Sequence, residues 1–171
     1  EDLAPNQVAI AGYFCDNLDK TFAGQRYLAR QLRYVSRSKA VPLNATDLGD
    51  LNVFPLETEK HFSSVISQCE AVLELGAYLV LVGGDSSGLK ALGAAVQNVI
   101  NPDVPIVSLS NNNKLNLSKT QKIILSVDLK ELAGKWLSKP RRLNGLSPSQ
   151  IISQINNIPN KIIAVAIFGL A

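Results

Sequence analysis

Two rhythms of apolar and polar positions alternate along the chain. Gln7–Phe14 (QVAIAGYF), Tyr78–Val82 (YLVLV), Pro105–Leu109, Lys122–Val127 and Lys161–Phe168 are short apolar runs bounded by turn residues, which predicts strands buried on both faces. Ala40–Leu43 predicts a further short strand, and Asn44 to Glu57 (NATDLGDLNVFPLE) a turn-rich loop. Between the runs the spacing becomes helical. Leu28, Leu32 and Val35 form an apolar stripe within Gly24–Ser36, suited to lying on a sheet. Phe62, Val65, Ile66, Cys69, Val72 and Leu73 repeat at helical spacing, with Gly76 where a C-terminal cap belongs. An Ala/Leu/Val-rich helix follows the Gly83–Ser87 turn and ends near Asn101-Pro102. Ser147-Pro148-Ser149-Gln150 supplies an N-cap, a first-turn proline and a capping-box partner for a helix through Asn156. Strands alternating with helices predict a single domain over residues 1–171. Its expected architecture is a three-layer α/β/α sandwich with a mainly parallel sheet and right-handed crossovers.

Composition narrows the classes. A chain of 171 residues that is 46% hydrophobic and 18% charged can bury a sizeable core. Its longest apolar runs fall far short of the roughly 20 residues that cross a bilayer. Cys15 and Cys69 sit in apolar-periodic stretches and read as buried thiols, which implies a reducing, cytoplasmic setting. The net charge of +3 is unevenly placed, with eight Lys/Arg between Lys114 and Arg142 against Asp128 and Glu131. Arg26, Arg30, Arg33 and Arg37 share one helical face, which serves as a solvated surface or as a contact for an acidic protein or another subunit. No aromatic stacking platform accompanies the charge, so nucleic acid is not expected.

Candidate chemistry centres on the Gly83-Gly84-Asp85-Ser86-Ser87 turn, which opens a helix at a strand end, where ligands of parallel sheets gather. Ser86 or Ser87 can cap that helix, and the free N–H groups of a helix start favour an anion. Asp85 opposes a phosphate there unless a cation intervenes. Asp47, Asp50 and Glu57 read as loop-capping acids rather than a catalytic pair, and the only histidine, His61, as a structural residue that is exposed or partly buried on its helix.

The order of segments "DLGD", "LVLVGGDSS", "PIVSLSNNN", "IILSVDL" and "LNGLSPSQI" resembles the ureohydrolase family of arginases, agmatinases and formimidoylglutamases. Gly12 to Arg33 and the final "AVAIFGLA" extend the resemblance to most of the chain. The resemblance implies a sheet that carries a binuclear manganese site and activates a water against a guanidinium or amidine carbon. It also implies where this chain departs. Ser86 stands at the histidine of Gly-Gly-Asp-His-Ser; Ser108, Ser110 and Asn112 stand at the ligands of Asp-Ala-His-x-Asp. Asp128 and Lys130 stand at those of Ser-x-Asp-x-Asp, and Gly169 where a substrate-facing glutamate is expected. Of six ligand positions only Asp128 keeps a ligand of the family's type, and the block that separates the second and third motifs in the family is reduced to a short Asn-rich linker. Two divalent cations need several carboxylates and imidazoles.

The expectation is therefore a pseudoenzyme without cofactor, working through a protein partner or as a homo-oligomer. Asp128 and Lys130 are expected to pair across alternate strand positions in the emptied pocket. The alternative is a small-molecule or nucleotide binder, because "VGGDSS" also resembles the Gly-Gly-Asp-Gly-Ser/Thr phosphate turns of lipid, NAD and phosphofructokinase families. Ser86 departs from that pattern.

Overall fold

Six strands, each rich in β-branched and small residues, pair side by side in a computed structural model that describes residues 3–16, 27–39, 45–109, 121–132, 145–159 and 161–169. The strands are β1 (Val8–Gly12), β2 (Ala45–Asp50), β3 (Tyr78–Val82), β4 (Ile106–Ser108), β5 (Lys122–Asp128) and β6 (Lys161–Phe168). They lie in the order β2-β1-β3-β6-β5-β4, and every pair is parallel. The helices are α1 (Leu28–Lys39), α2 (Thr58–Glu74), α3 (Ser87–Val99) and α4 (Pro148–Asn156).

Alternation along the strands sorts the core into two clusters. Ala9, Leu79, Ala164 and Ile124 share one row of the sheet and pack with Val65, Cys69, Leu92 and Val96 of α2 and α3. The next row, Val80, Val165 and Leu125, faces the other side, where Ile151 and Ile155 of α4 meet Val127 and Ile167. Gly12, in the row of Ile167, receives Ala29 of α1 on that same side. Both helices on that side link strands stepping toward the β2 edge, and both on the other link strands stepping away, as right-handed crossovers require. The three-layer sandwich is as the pattern predicted.

Local signals explain most ends. Ser147 Oγ accepts from Gln150 N–H and the Gln150 side chain accepts from Ser147 N–H, so α4 begins on a complete capping box. Gly76 turns out of α2 at φ +74°, with its N–H donating to Leu73 O.

Two elements differ from expectation. The expected strand at Ala40–Leu43 falls on residues outside those described, except that the second strand itself is found at Ala45–Asp50, inside the predicted loop. β2 is an edge strand, and its polar side chains are tolerated because one flank faces solvent. The helix expected from Gly24 is described from Leu28, and Leu32 and Val35 of its apolar stripe are 40% and 45% exposed. The stripe turns sideways because Ala29 and Arg33 occupy the sheet-facing line.

Arg33 Nε donates to Asp47 at 2.8 Å and its Nη1 to Asp50, tying α1 to β2. Arg30 stands 3.5 Å from Asp50 and lies over the Phe14 ring. The acids therefore hold a helix to an edge strand, and Asp47 also accepts Gly49 N–H as a turn cap. Partial burial pushes Asp47 up, but the bonds from Arg33 and Gly49 and the nearby Arg37 charge outweigh it and hold the carboxyl below the ordinary range. Its contribution is present at neutral pH and lost as the solution is acidified through that lowered value. Replacing Arg33 by Met should cost about 1 kcal/mol in urea unfolding, whereas Arg37→Gln should stay within about 0.5 kcal/mol.

Candidate functional site

All six strands point their C-terminal ends to one edge, and the sequence-singled residues lie along it. β3 leaves the sheet through Gly83 and Gly84, at φ +97° and +67°, before α3 starts at Ser87. Gly84 and Gly88 are glycine for want of room. A Cβ at Gly84 would overlap the Tyr13 ring and stand 2.6 Å from Cys15 O, and one at Gly88 would stand 2.7 Å from Tyr13 Cδ1.

Tyr13 follows β1 and is completely buried, as is His61 on α2. Its hydroxyl stands 2.6 Å from both His61 Nε2 and Ser87 Oγ. Ser87 Oγ donates to Asp85 Oδ1 in a short contact, and Ser87 N–H donates to the same oxygen at 2.9 Å. At the far end Phe54 N–H donates to His61 Nδ1 at 3.2 Å. These end groups set the direction of the whole chain. Ser87 spends its one proton on Asp85 and so accepts from Tyr13; Tyr13 spends its proton on Ser87 and so accepts from His61 Nε2–H. That tautomer leaves Nδ1 bare, as the bond from Phe54 requires. Burial holds the imidazole neutral, its pKa below the ordinary histidine value, with the Asp85 charge opposing in part. Burial also raises the Tyr13 phenol far above the tyrosine range.

The helix cap thus comes from Asp85 rather than from Ser86 or Ser87, since Ser86 sits at the N-cap without a side-chain capping bond. The turn's donors are spent on the protein itself: Gly83 N–H on Ile167 O, Asp85 N–H on Cys15 O and Ser87 N–H on Asp85. A phosphate arriving here would find three of its prospective donors taken and a carboxylate in their place.

Farther along the edge, Asp128 ends β5 opposite Phe168. The chain then coils into a 3-10 turn over Leu129–Glu131, and Asp128 Oδ1 accepts Lys130 N–H at 2.9 Å. The expected alternation is broken there, so Asp128 meets the Lys130 backbone instead of pairing with its ammonium across a strand. Gly169, at φ +89°, lies so close that a Cβ would overlap Asp128 Oδ1.

No family model matches the sequence, and no curated protein sequence matches it. Solved structures do. A hypothetical agmatinase from Burkholderia thailandensis aligns over 100% of this chain and 79% of its own, at TM-score 0.83 and 13% identity. Proclavaminate amidino hydrolase from Streptomyces clavuligerus aligns over 98% and 84%, at TM-score 0.78 and 13% identity. Formimidoylglutamase from Bacillus subtilis aligns over 99% and 81%, at TM-score 0.78 and 12% identity. The fold is that of the ureohydrolases.

In the ureohydrolase fold of this chain, Ser86, Ser108, Asp128, Lys130 and Gly169 all lie on the C-terminal edge, while Ser110 and Asn112 fall outside the described residues. Among the described residues, no three His, Cys, Asp or Glu side chains gather as a metal site. The described positions do not fit a pair of manganese ions: two are serines, one is a lysine, and Asp128 is engaged as a cap. Arg26 lies outside the described residues; Arg30 and Arg33 are engaged with β2, and Arg37 is exposed. Of the described arginines, Arg33 is therefore a clamp between α1 and β2, while Arg30 and Arg37 remain exposed.

His61 is fully buried, which corrects the expectation of an exposed or partly buried residue. Its partner Tyr13 lies 48 residues away, so no local pattern disclosed the contact. The cysteines are buried thiols without a disulfide, and burial pushes Cys69 up to about 12. No described helix is long and apolar enough to cross a membrane.

Because the unfolded His61 binds a proton more readily than the folded one, stability should fall as pH drops below about 6.5, and the fall should flatten in His61→Gln. Tyr13→Phe should cost about 1–3 kcal/mol by leaving the buried His61 Nε2–H without its acceptor. Gly169→Glu should cost roughly 1–2 kcal/mol from the left-handed backbone alone. Thermal or urea melts across pH check all three.

Proposed function

We propose that this ureohydrolase-fold chain is catalytically inactive and acts through protein–protein contact, as an oligomeric scaffold or as a subunit of a larger assembly. The observation that carries the reading is the state of the strand ends. The one acid retained at a ligand position caps the turn that follows it, and Gly169 closes over it with no room for a side chain. A hydrolase of the kind the relatives' names describe needs several anionic and imidazole ligands to hold and charge-balance its metals. Here hydroxyls and an ammonium group occupy those places. With the reaction gone, what remains for the domain is its surface, and Tyr27, just ahead of α1, and Leu32, Tyr34 and Val35 on it are exposed beside Arg30 and Arg37. The buried thiols suit a reducing, cytoplasmic setting.

The purified protein should contain no stoichiometric manganese, and its melting temperature should not move on adding manganese or a chelator. Arginine, agmatine and formimino compounds should yield no product. Stoichiometric manganese with a higher melting temperature would contradict the reading and make guanidino compounds its substrates to test.

A further inference from the structure

Three side chains of α2 hold the strap that joins β2 to that helix, and they hold it by its main chain. His61, Ser64 and Gln68 follow i, i+3 and i+7 spacing and so share one face of α2. Asn52 N–H donates to Gln68 Oε1 at 2.9 Å, and Asn52 O accepts from Ser64 Oγ at 3.1 Å and from Gln68 Nε2 at 3.0 Å. Farther on, Phe54 N–H donates to His61 Nδ1 at 3.2 Å. The Phe54 ring lies under Lys60 Nζ at 4.2 Å, and Val53 packs against the core. Leu56 is 95% exposed, and the strap ends where Glu57 O accepts His61 N–H at 2.7 Å.

The attachments differ in chemistry. The carboxamide and hydroxyl that hold Asn52 do not titrate in water near neutral pH, whereas the imidazole that holds Phe54 does. Phe54 N–H can only donate, so its bond requires a bare Nδ1. A proton taken from solvent onto Nδ1 turns the ring into an imidazolium with two N–H groups. Its Nε2–H still meets the Tyr13 oxygen, and the line from Tyr13 through Ser87 to Asp85 needs no change. Its Nδ1–H faces Phe54 N–H, donor against donor.

The surroundings of the ring favour this one-sided break. Tyr13, from the end of β1, is a neutral phenol with the Cys15 side chain beside it; Phe62 of α2 stands edge-on to the ring, and Ser87 of α3 lies beyond Tyr13. Lys60 and Glu57 pair with each other at 3.3 Å. Among the described residues, the charge that acts on the ring is Asp85, from the turn between β3 and α3, and it favours the proton against the burial that opposes it. Releasing one hydrogen bond costs far less than unfolding the domain, so this part of the strap yields first.

We propose that the strap over residues 52–57 is an acid-released latch: proton uptake at His61 Nδ1 frees its middle, with Val53 and Phe54, while Asn52 and Glu57 stay attached to α2. The released middle joins Leu56 as an apolar tip. The latch goes beyond the protein–protein reading above and does not rest on it.

The test is amide hydrogen exchange by NMR on the full chain, read as protection relative to an unfolded peptide, at neutral pH and at about two pH units below the ordinary histidine value of about 6.5. Phe54 N–H should lose more than about tenfold in protection across that interval, while Asn52 N–H and Leu81 N–H of β3 change by less than about threefold. His61→Gln, which offers an acceptor and a donor but no titrating nitrogen, should keep Phe54 protected at both values. Loss of protection in acid by His61→Gln would overturn the assignment to His61. Should that variant not fold, the ¹⁵N shifts of the wild-type ring decide: the proton gained on Nδ1 must track the loss at Phe54. Phe54 still protected once the ring holds two protons, or a ring holding one proton across the whole interval, would overturn the latch. A joint loss at Phe54, Asn52 and Leu81 is unfolding of the domain and would overturn it too.

Discussion

The structure depends on a line of hydrogen bonds with a single direction: Phe54 N–H to His61, His61 to Tyr13, Tyr13 to Ser87 and Ser87 to Asp85. It joins the end of β1, the first turn of α2 and the turn between β3 and α3, three places far apart in the chain. Buried polar groups tolerate this only when each has its partner, since one left unpaired costs about 1–3 kcal/mol. The members are therefore not separable. Gly84 and Gly88 make room for the Tyr13 ring, Asp85 caps α3, and burial keeps the imidazole neutral so that it can donate from one nitrogen and accept at the other.

This arrangement answers what the Gly83–Ser87 turn is for. At the place where a parallel sheet presents its ligand sites, the chain uses glycines, an acid and a hydroxyl to lock strand to helix. The same economy appears at β5 and β6, where Asp128 caps the next turn and Gly169 packs against it. Asp85, Ser87 and Asp128, which on such an edge could face a ligand, bond within the protein instead. Likeness of fold to agmatinases and amidino hydrolases does not carry their chemistry, because chemistry resides in the side chains at the strand ends.

How much was legible follows from how local each signal is. β3 and β6 were read with their observed bounds because continuous apolar runs need no partner to be recognised. The capping box of α4 is spelled out in four consecutive residues. β2 was not legible: ATDLGD looks like a loop, and only the edge position and Arg33 make a strand of it. The apolar stripe of α1 was found, but its orientation was decided by the same arginine. The family likeness was visible in the order of degraded motifs, while the Tyr13–His61 contact spans 48 residues and leaves no periodic trace. The Asp128–Lys130 pairing failed because strand alternation stops at Asp128.

A fixed, fully satisfied hydrogen-bond line organises the strand-end turn. The most direct measurement is the ¹⁵N shifts of the His61 ring across neutral to mildly acidic pH. The ring should be a neutral imidazole with its proton on Nε2 and no titration near the ordinary histidine value of about 6.5. A ring that titrates there, or that carries its proton on Nδ1, would contradict it.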